Sequence, residues 1–322
     1  MEDLLHERKA LVAGNNKLAY SIAICLLRAN YEVVFLTNDS ASAYVGIQQY
    51  IDDCETVKGK ECGRHAVRIV KDIGLEGQFS IALLINEESA PHKTELIERL
   101  EYLLPDKCAI GINAESIPLR DIQAAAVRPE RVIGLNWVFP AYTTFFLEII
   151  ANQVNNEEIV NALYSEAKQR WNKDPYIIRG ERGIRASLFS AMIREAFNLV
   201  DNGYATIRDI DRACRNDAGS YLPFSGNFRY MDLMGTRSYA EVMKDLNREL
   251  SKEQMTPGFF NKIIGSGALG MEERSGFYQY EEGEVERWNE LFDRFSYRIR
   301  DIICKYPFNY NKEPSADGNN NE

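Results

Sequence analysis

Histidine, the side chain whose charge changes most readily near neutral pH, is scarce in this sequence. Only three of the 322 residues are histidines, and none follows His92. An acid or base that is contributed by a residue beyond that position must therefore be a side chain of another type. This absence limits which residues in the later part of the chain can act as an acid or a base.

Paired cysteines of the zinc-binding kind are also missing. The six cysteines form no C-x-x-C pair, and only Cys54 and Cys62 are near neighbours. That spacing does not indicate a zinc site, so we expect no bound metal. We predict that the cysteines are free thiols in a reducing compartment.

Positive charge is in deficit, and long apolar runs are absent. Lysine and arginine total 38 against 48 acidic residues, which gives a formal net charge of -10. A nucleic-acid backbone would be repelled by such a surface, so no nucleic-acid partner is expected. No run reaches the roughly 20 apolar residues that span a bilayer, and the charged start MEDLLHERK lacks the apolar core of a signal peptide. We therefore predict a cytoplasmic protein without a membrane partner.

What the chain does have is an alternation of short apolar runs and helical patterns in its first half. KALVAG at 9–14 and YEVVFL at 31–36 are typical of buried strands, and the segment between them has helical spacing. Such a unit predicts a parallel sheet with a crossover helix. Further strands are predicted at 80–85, 108–113, 131–137, 145–150 and 174–180, and further helices at 93–104, 119–126 and 156–171.

The turn GNNKLA after the first strand lies where dinucleotide-binding folds carry G-x-G-x-x-G. Gly14 can make the tight turn, and Ala19 is acceptable as the third small residue. Asn16 replaces the second glycine, and its amide is expected to project where the pyrophosphate would lie. Lys17 at the helix start could still attract an anion.

The end of the second strand lacks the acid that usually holds the adenosine ribose. Thr37 stands there, and Asp39 follows two residues later. Two interpretations stay open at this point: a dinucleotide site, and a Rossmann-like fold that binds no dinucleotide.

After residue 180 the pattern becomes helical, at 183–202, 206–214, 238–250 and 284–304. We predict an α/β Rossmann-like domain of the NAD-binding type at 8–180. An all-helical domain is predicted at 181–305, followed by a disordered, polar tail at 306–322.

Several stretches, taken in chain order, resemble the 3-hydroxyacyl-CoA dehydrogenase family. INAESIPLRDIQAAAVRPERVIGLNWVFPA, at 112–141, is similar to the family segment that runs from N-T-S-S-L to G-x-H-F-F-N-P. Residues 195–213, 231–235 and 267–280 resemble its E-A-x-x-L-x-x-x-G-x-A-x-x-x-D-I-D, A-D-x-x-G and G-x-L-G-x-K-T-G-x-G-F-Y-x-Y blocks. The likeness implies a Rossmann-like domain followed by an all-α domain, with NAD as cofactor. It also implies a small-molecule substrate of the 3-hydroxyacyl-CoA or related hydroxy-acid type, an active site between the domains, and a homodimer formed through the helical domain.

The resemblance also assigns catalytic positions, and most of them are changed. The family's catalytic histidine falls on Asn136, while its partner glutamate is kept as Glu148. The family's serine falls on Glu115, its substrate-site asparagine on Ser187, and an asparagine near the nicotinamide on Phe139. The parent reaction is therefore expected to be absent or weak.

Three positions that the family uses near the cofactor are retained. A glutamate and a lysine that approach the nicotinamide ribose correspond to Glu88 and Lys93, and the asparagine of N-T-S-S corresponds to Asn113. The resemblance thus implies a cofactor site that is only partly altered.

Asn136 can exchange hydrogen bonds with Glu148, but an amide cannot titrate near neutral pH. Three functional hypotheses follow. The chain is an oxidoreductase with altered catalytic groups, or a non-catalytic, ligand-sensing or scaffolding homologue. The third is an enzyme that uses Glu115 and Glu148 without nicotinamide, in which two nearby carboxylates would create a new base.

Overall fold

The computed structural model of the chain describes residues 8–58, 66–73, 78–86 and 89–306. The chain divides into two compact units, Met1–Leu188 and Phe189–Glu322. Of the predicted disordered tail, residues 307–322 lie outside the described part of the chain.

The first unit is built on an eight-stranded sheet with the order β3-β2-β1-β4-β5-β6-β7-β8. Neighbouring strands are parallel except β6 and β7, which are antiparallel. The strands are β1 (Lys9–Gly14), β2 (Glu32–Leu36), β3 (Val67–Val70), β4 (Ile81–Ile85), β5 (Ala109–Ile112), β6 (Val132–Asn136), β7 (Glu148–Ala151) and β8 (Tyr176–Arg179).

The central strands β4 and β5 are apolar along their whole length because both faces of the sheet are covered. Every residue of β4 is buried, and so are the four inner residues of β1. Helices pack against the sheet: α1 (Lys17–Arg28), α2 (Ser40–Lys58), α3 (Ala90–Glu101), α4 (Leu119–Gln123) and α5 (Glu157–Gln169). The Rossmann-like α/β fold predicted for this part of the chain is confirmed.

The strand order reverses direction at β1, which has β2 on one side and β4 on the other. In open parallel sheets, ligands bind at such a switch point, outside the carboxyl ends of the strands. The carboxyl ends of β1, β2, β4 and β5 lie at one edge of the sheet. That edge therefore carries the turn after Gly14 and residues 37, 86 and 113.

The second unit is helical, as predicted. Its helices are α6 (Ile184–Asp201, which begins in the first unit), α7 (Ile207–Asn216), α8 (Ala218–Met234), α9 (Thr236–Leu246), α10 (Gly258–Gly265) and α11 (Glu284–Lys305). Thr206 and Asp209 form a capping box that begins α7. Among the described helices, none combines the length and apolar character that a membrane crossing requires.

Candidate functional site

Gly14 ends β1 at a point where the backbone of the neighbouring strand approaches closely. A Cβ added there would lie 2.5 Å from the Ile85 carbonyl oxygen and 2.6 Å from the Ala19 Cβ. Such distances leave no room for a side chain, so glycine is required at the turn. Ala19 is completely buried, which fits its assigned role as the small residue of the helix-strand contact.

Asn16 has a different role from the one expected from the sequence. Its backbone is extended, with φ of -131°, and Asn16 is the N-cap of α1. The side-chain Oδ1 accepts a hydrogen bond of 2.9 Å from the Ala19 backbone N–H. The amide therefore bends back onto its own helix, and it occupies one of the N–H groups that an anion at this helix end would use. Lys17 is the first residue of α1.

A cavity of about 380 Å³ lies at the carboxyl ends of β1, β2 and β4. Its lining includes Gly14, Leu36, Thr37, Asp39, Asn86 and His92. This is where the adenosine half of a dinucleotide lies in folds of this type. The cavity and the required glycine fit that half of the cofactor. Asn16, as the N-cap, occupies the Ala19 N–H, which would otherwise be a donor at the phosphate position.

A buried lysine lies at the neighbouring strand ends. Lys93 is 0% exposed, and its Nζ donates to Asn113 Oδ1 at 3.0 Å and to Asn86 Oδ1 at 3.3 Å. Asn113 also donates to the Asn86 carbonyl oxygen. The structure thus brings together Lys93 and Asn113, two of the three retained cofactor-side positions. The third, Glu88, lies outside the described residues.

Asn136 and Glu148 face each other across the antiparallel β6–β7 pair. Asn136 Nδ2 donates to Glu148 Oε2 at 3.1 Å. The same amide binds the backbone of Ala114 twice, accepting from its N–H at 2.8 Å and donating to its carbonyl at 3.3 Å. Asn136 is 1% exposed and Glu148 is 0% exposed. The hydrogen bond proposed from the sequence is present, and it holds a buried, non-titrating side chain in place.

Glu148 has two more donors that the sequence did not reveal. Its Oε1 accepts from the Tyr176 hydroxyl at 2.9 Å and from the Arg185 backbone N–H at 2.8 Å. Burial and the adjacent Glu148 charge raise the pKa of Tyr176 well above its ordinary value, so this hydroxyl stays protonated as a donor. A Cβ added at Gly183 would lie only 2.0 Å from Glu148 Oε2. The carboxylate is therefore surrounded by three hydrogen-bond donors and by the backbone at Gly183.

The other two assigned catalytic positions make local contacts. Glu115 Oε2 forms an ion pair with Arg185 Nη1, and the two side chains are 32% and 37% exposed. A new carboxylate base would require burial, and this partly exposed, paired carboxylate lacks it. Ser187 Oγ donates to the Gly183 carbonyl oxygen at 3.1 Å, within the first turn of its own helix.

Aromatic side chains near Asn136 pack rather than line a cavity. Trp137 is 1% exposed, and its ring centroid lies 5.5 Å from that of Trp171. The Phe139 ring lies 5.7 Å from that of Tyr50. Within the described ranges, no three histidine, cysteine or acidic side chains come together as a metal site.

Family models match both parts of the chain. Residues 9–180 match the NAD binding domain of 3-hydroxyacyl-CoA dehydrogenase, and residues 184–280 match the C-terminal domain of the same enzyme. NAD is the cofactor of the matched domain family, as predicted. The two matches together cover most of the chain.

Individual relatives are distant. A probable 3-hydroxybutyryl-CoA dehydrogenase of Bacillus subtilis is 24% identical over 85% of this chain and 98% of its own length. The fatty acid oxidation complex subunit alpha of Shewanella frigidimarina is 26% identical over 66% of this chain, and the match spans only 29% of that protein.

A solved structure shows the same fold. It is that of 5-formyl-3-hydroxy-2-methylpyridine 4-carboxylic acid 5-dehydrogenase, described as an NAD+ dependent dismutase. The TM-score is 0.85 at 20% sequence identity, covering 93% of this chain and 99% of the other.

Proposed function

The chain belongs to the 3-hydroxyacyl-CoA dehydrogenase family, and we propose that it binds NAD(H) but oxidises 3-hydroxyacyl-CoA very slowly or not at all. The observation that carries this proposal is the Asn136–Glu148 hydrogen bond. It stands at the position where the family has its proton-transferring histidine. NAD, when bound, would supply the hydride acceptor. What the protein lacks is the side chain that would take the proton of the substrate hydroxyl.

Asn136 cannot take the substrate's hydroxyl proton, because an amide does not titrate in the neutral range. Its oxygen and nitrogen are also engaged by Ala114 and Glu148. Loss of a positioned general base lowers the rate by about 10² to 10⁴. Ordinary dehydrogenase turnover would therefore fall by about the same factor.

Glu148 is poorly placed to act as the base instead. It is fully buried, and three donors, from Asn136, Tyr176 and Arg185, surround its two oxygens. A general base must come within hydrogen-bond reach of the proton that it removes. The Gly183 backbone lies against the same carboxylate, so a substrate hydroxyl would have to displace existing contacts.

Cofactor binding is supported by the other half of the site. The turn at Gly14 and the cavity beside it lie where the dinucleotide-binding architecture places the adenosine half of the cofactor. The buried Lys93 holds a position that the family resemblance places near the nicotinamide ribose. The N-capping Asn16 weakens this site, because it takes up a donor that would otherwise face a phosphate. We therefore propose retained but reduced NADH affinity.

The first experiment is a titration of the full-length protein with NADH, followed by nicotinamide fluorescence and calorimetry. Binding at micromolar concentration, on the order of -8 kcal/mol, supports the proposal. The same preparation is then given acetoacetyl-CoA with NADH, with a related active dehydrogenase as positive control. Turnover at the rate of the active enzyme would refute the proposed loss of proton transfer, and failure to bind millimolar NADH would refute the cofactor half.

The alternative is a non-catalytic, ligand-sensing or scaffolding dimer, and one observation favours its dimeric part. The helical unit exposes large apolar side chains, among them Phe228 at 82%, Leu233 at 66% and Phe295 at 56%. Exposed apolar surface of this kind marks association sites. We propose a homodimer through this unit, which light scattering on the purified protein would test; a monomer at micromolar concentration would contradict it.

A further inference from the structure

The residue that follows β2 decides how a fold of this type treats the adenosine ribose. Thr37 occupies that position and is 5% exposed. Its backbone N–H donates to the Val70 carbonyl, and its Oγ1 accepts from the Asp39 backbone N–H at 3.3 Å. The threonine hydroxyl is thus turned toward its own loop, and it carries no charge that could distinguish a ribose hydroxyl from a phosphate.

Asp39 lies two residues further along, directly before the start of α2. Its Oδ1 accepts from the Ser42 backbone N–H at 3.1 Å, and its carbonyl accepts from the Ala43 N–H at 3.2 Å. Hydrogen bonds from Ser42 lower the pKa of Asp39, with a smaller contribution from Lys71. The side chain is therefore an anion at neutral pH, and one of its oxygens is engaged by the helix end.

Asp39 is one of the residues that line the cavity beside Gly14. The charged side chains of that lining are the two carboxylates of Asp39 and Glu95 and the one guanidinium of Arg99. His92 also lines the cavity. Acidic groups therefore outnumber basic ones where the adenosine ribose would lie, although Lys71 offsets part of the Asp39 charge from outside the lining. A neutral 2′-hydroxyl suits such a lining, and a 2′-phosphate does not.

We propose that Asp39 replaces the acid missing at position 37 and makes the site select NAD(H) over NADP(H). Its carboxylate would accept hydrogen bonds from the adenosine ribose hydroxyls and repel a 2′-phosphate. This assignment rests on the proposed binding of NAD(H). The acid has moved two residues along the loop, from the strand end to the N-cap of the next helix.

The test measures dissociation constants for NADH and for NADPH by nicotinamide fluorescence with the full-length protein. Asp39→Asn removes the charge and keeps a side-chain oxygen for the Ser42 N–H, since asparagine caps helices as well as aspartate does. Asp39→Ser is a second uncharged N-cap that guards against an effect peculiar to asparagine. Glu32→Gln is the matched control, because it removes an acid from the opposite end of the same strand.

We expect the wild-type protein to bind NADH at least about tenfold more tightly than NADPH. Asp39→Asn and Asp39→Ser should each raise NADPH affinity by about tenfold, as removal of one charge near a doubly charged phosphate predicts. The NADPH gain should shrink at high salt. Glu32→Gln should leave the NADH-to-NADPH ratio unchanged.

The outcomes separate the inference from its premise. NADH binding with an unaltered NADH-to-NADPH ratio in both Asp39 variants would overturn the role of Asp39 and leave the proposed function standing. A wild-type preference for NADPH would overturn it as well. Absence of NADH binding in the wild-type protein would remove both the proposed function and this inference.

Discussion

Gly183 offers the sharpest test of how the Asn136–Glu148 pair is held. A Cβ added to Gly183 would lie 2.0 Å from Glu148 Oε2, 2.9 Å from its Cδ and 3.0 Å from Asn136 Nδ2. The carboxylate cannot remain in place beside that methyl group. Gly183→Ala must therefore displace a buried carboxylate from its donors or move the start of α6.

The expected cost can be worked from these contacts. Forcing a methyl group into a packed interior costs about 1–3 kcal/mol. Loss of a hydrogen bond to a charged group costs about 1.5–3 kcal/mol. The two effects overlap, because one displacement causes both, so we expect Gly183→Ala to lower the free energy of unfolding by about 3 kcal/mol.

The assay is urea unfolding followed by tryptophan fluorescence, since Trp137 and Trp171 are both buried in the first unit. The matched control is Gly180→Ala, three residues earlier, where an added Cβ would meet nothing within 4 Å. The control should change the free energy of unfolding by less than about 0.5 kcal/mol. A Gly183→Ala protein as stable as the control would refute the close approach between Gly183 and the carboxylate.

Asn16→Gly should tighten NADH binding several-fold, because it releases the Ala19 N–H at a helix-cap cost of only a few tenths of a kcal/mol; unchanged affinity by calorimetry would show that the cap does not compete with phosphate. Asn136→His alone should not restore oxidation of 3-hydroxybutyryl-CoA, because the cofactor turn is also altered; robust NADH production by this variant would contradict us. The raised pKa of Tyr176 means that the folded protein holds the proton of this hydroxyl more tightly than the unfolded chain does. The stability that Tyr176 contributes to the folded protein is therefore fully present below its ordinary pKa of 10.0, and it is lost as the pH rises above that value. Tyr176→Phe should therefore reduce the loss of stability at alkaline pH, and an unaltered pH profile of the unfolding midpoint would count against the Glu148 contact.

Much of the α/β unit could be predicted from sequence because central parallel strands are continuous apolar runs. β3 and α2 were missed for the opposite reason. Val67–Val70 is a short strand with no fully buried residue, and Ser40–Lys58 has apolar residues that do not follow a clear helical face. In the second unit α8 was also missed, since Pro223 and the positive-φ Gly226 interrupt its pattern.

The site could be predicted only where its contacts follow from spacing. The pairing of Asn136 with Glu148 is predicted correctly because the resemblance fixes their separation of twelve positions. Tyr176 reaches Glu148 through the β7–β8 register, which pairs the two residues directly. That pairing is set by how distant segments meet in the sheet, and no local pattern reports it. The N-cap role of Asn16 is different, because asparagine directly before a helix is a recognised capping signal that the sequence itself carries. Comparison with G-x-G-x-x-G alone predicts only a changed phosphate-binding residue.

Retention of Glu148 therefore does not mean that its chemistry has been retained. Beside a histidine, a glutamate would orient and stabilise the charge of the imidazolium. Beside Asn136 there is no such charge, yet the carboxylate stays buried because Tyr176 and the Arg185 N–H supply further donors. Those contacts tie β7 to β6, to β8 and to the start of α6, so the side chain now has a structural reason to stay. A buried carboxylate whose hydrogen-bond partners are neutral donors has its charge satisfied within the protein, and on this ground we propose that Glu148 is a structural tie and not half of a catalytic pair.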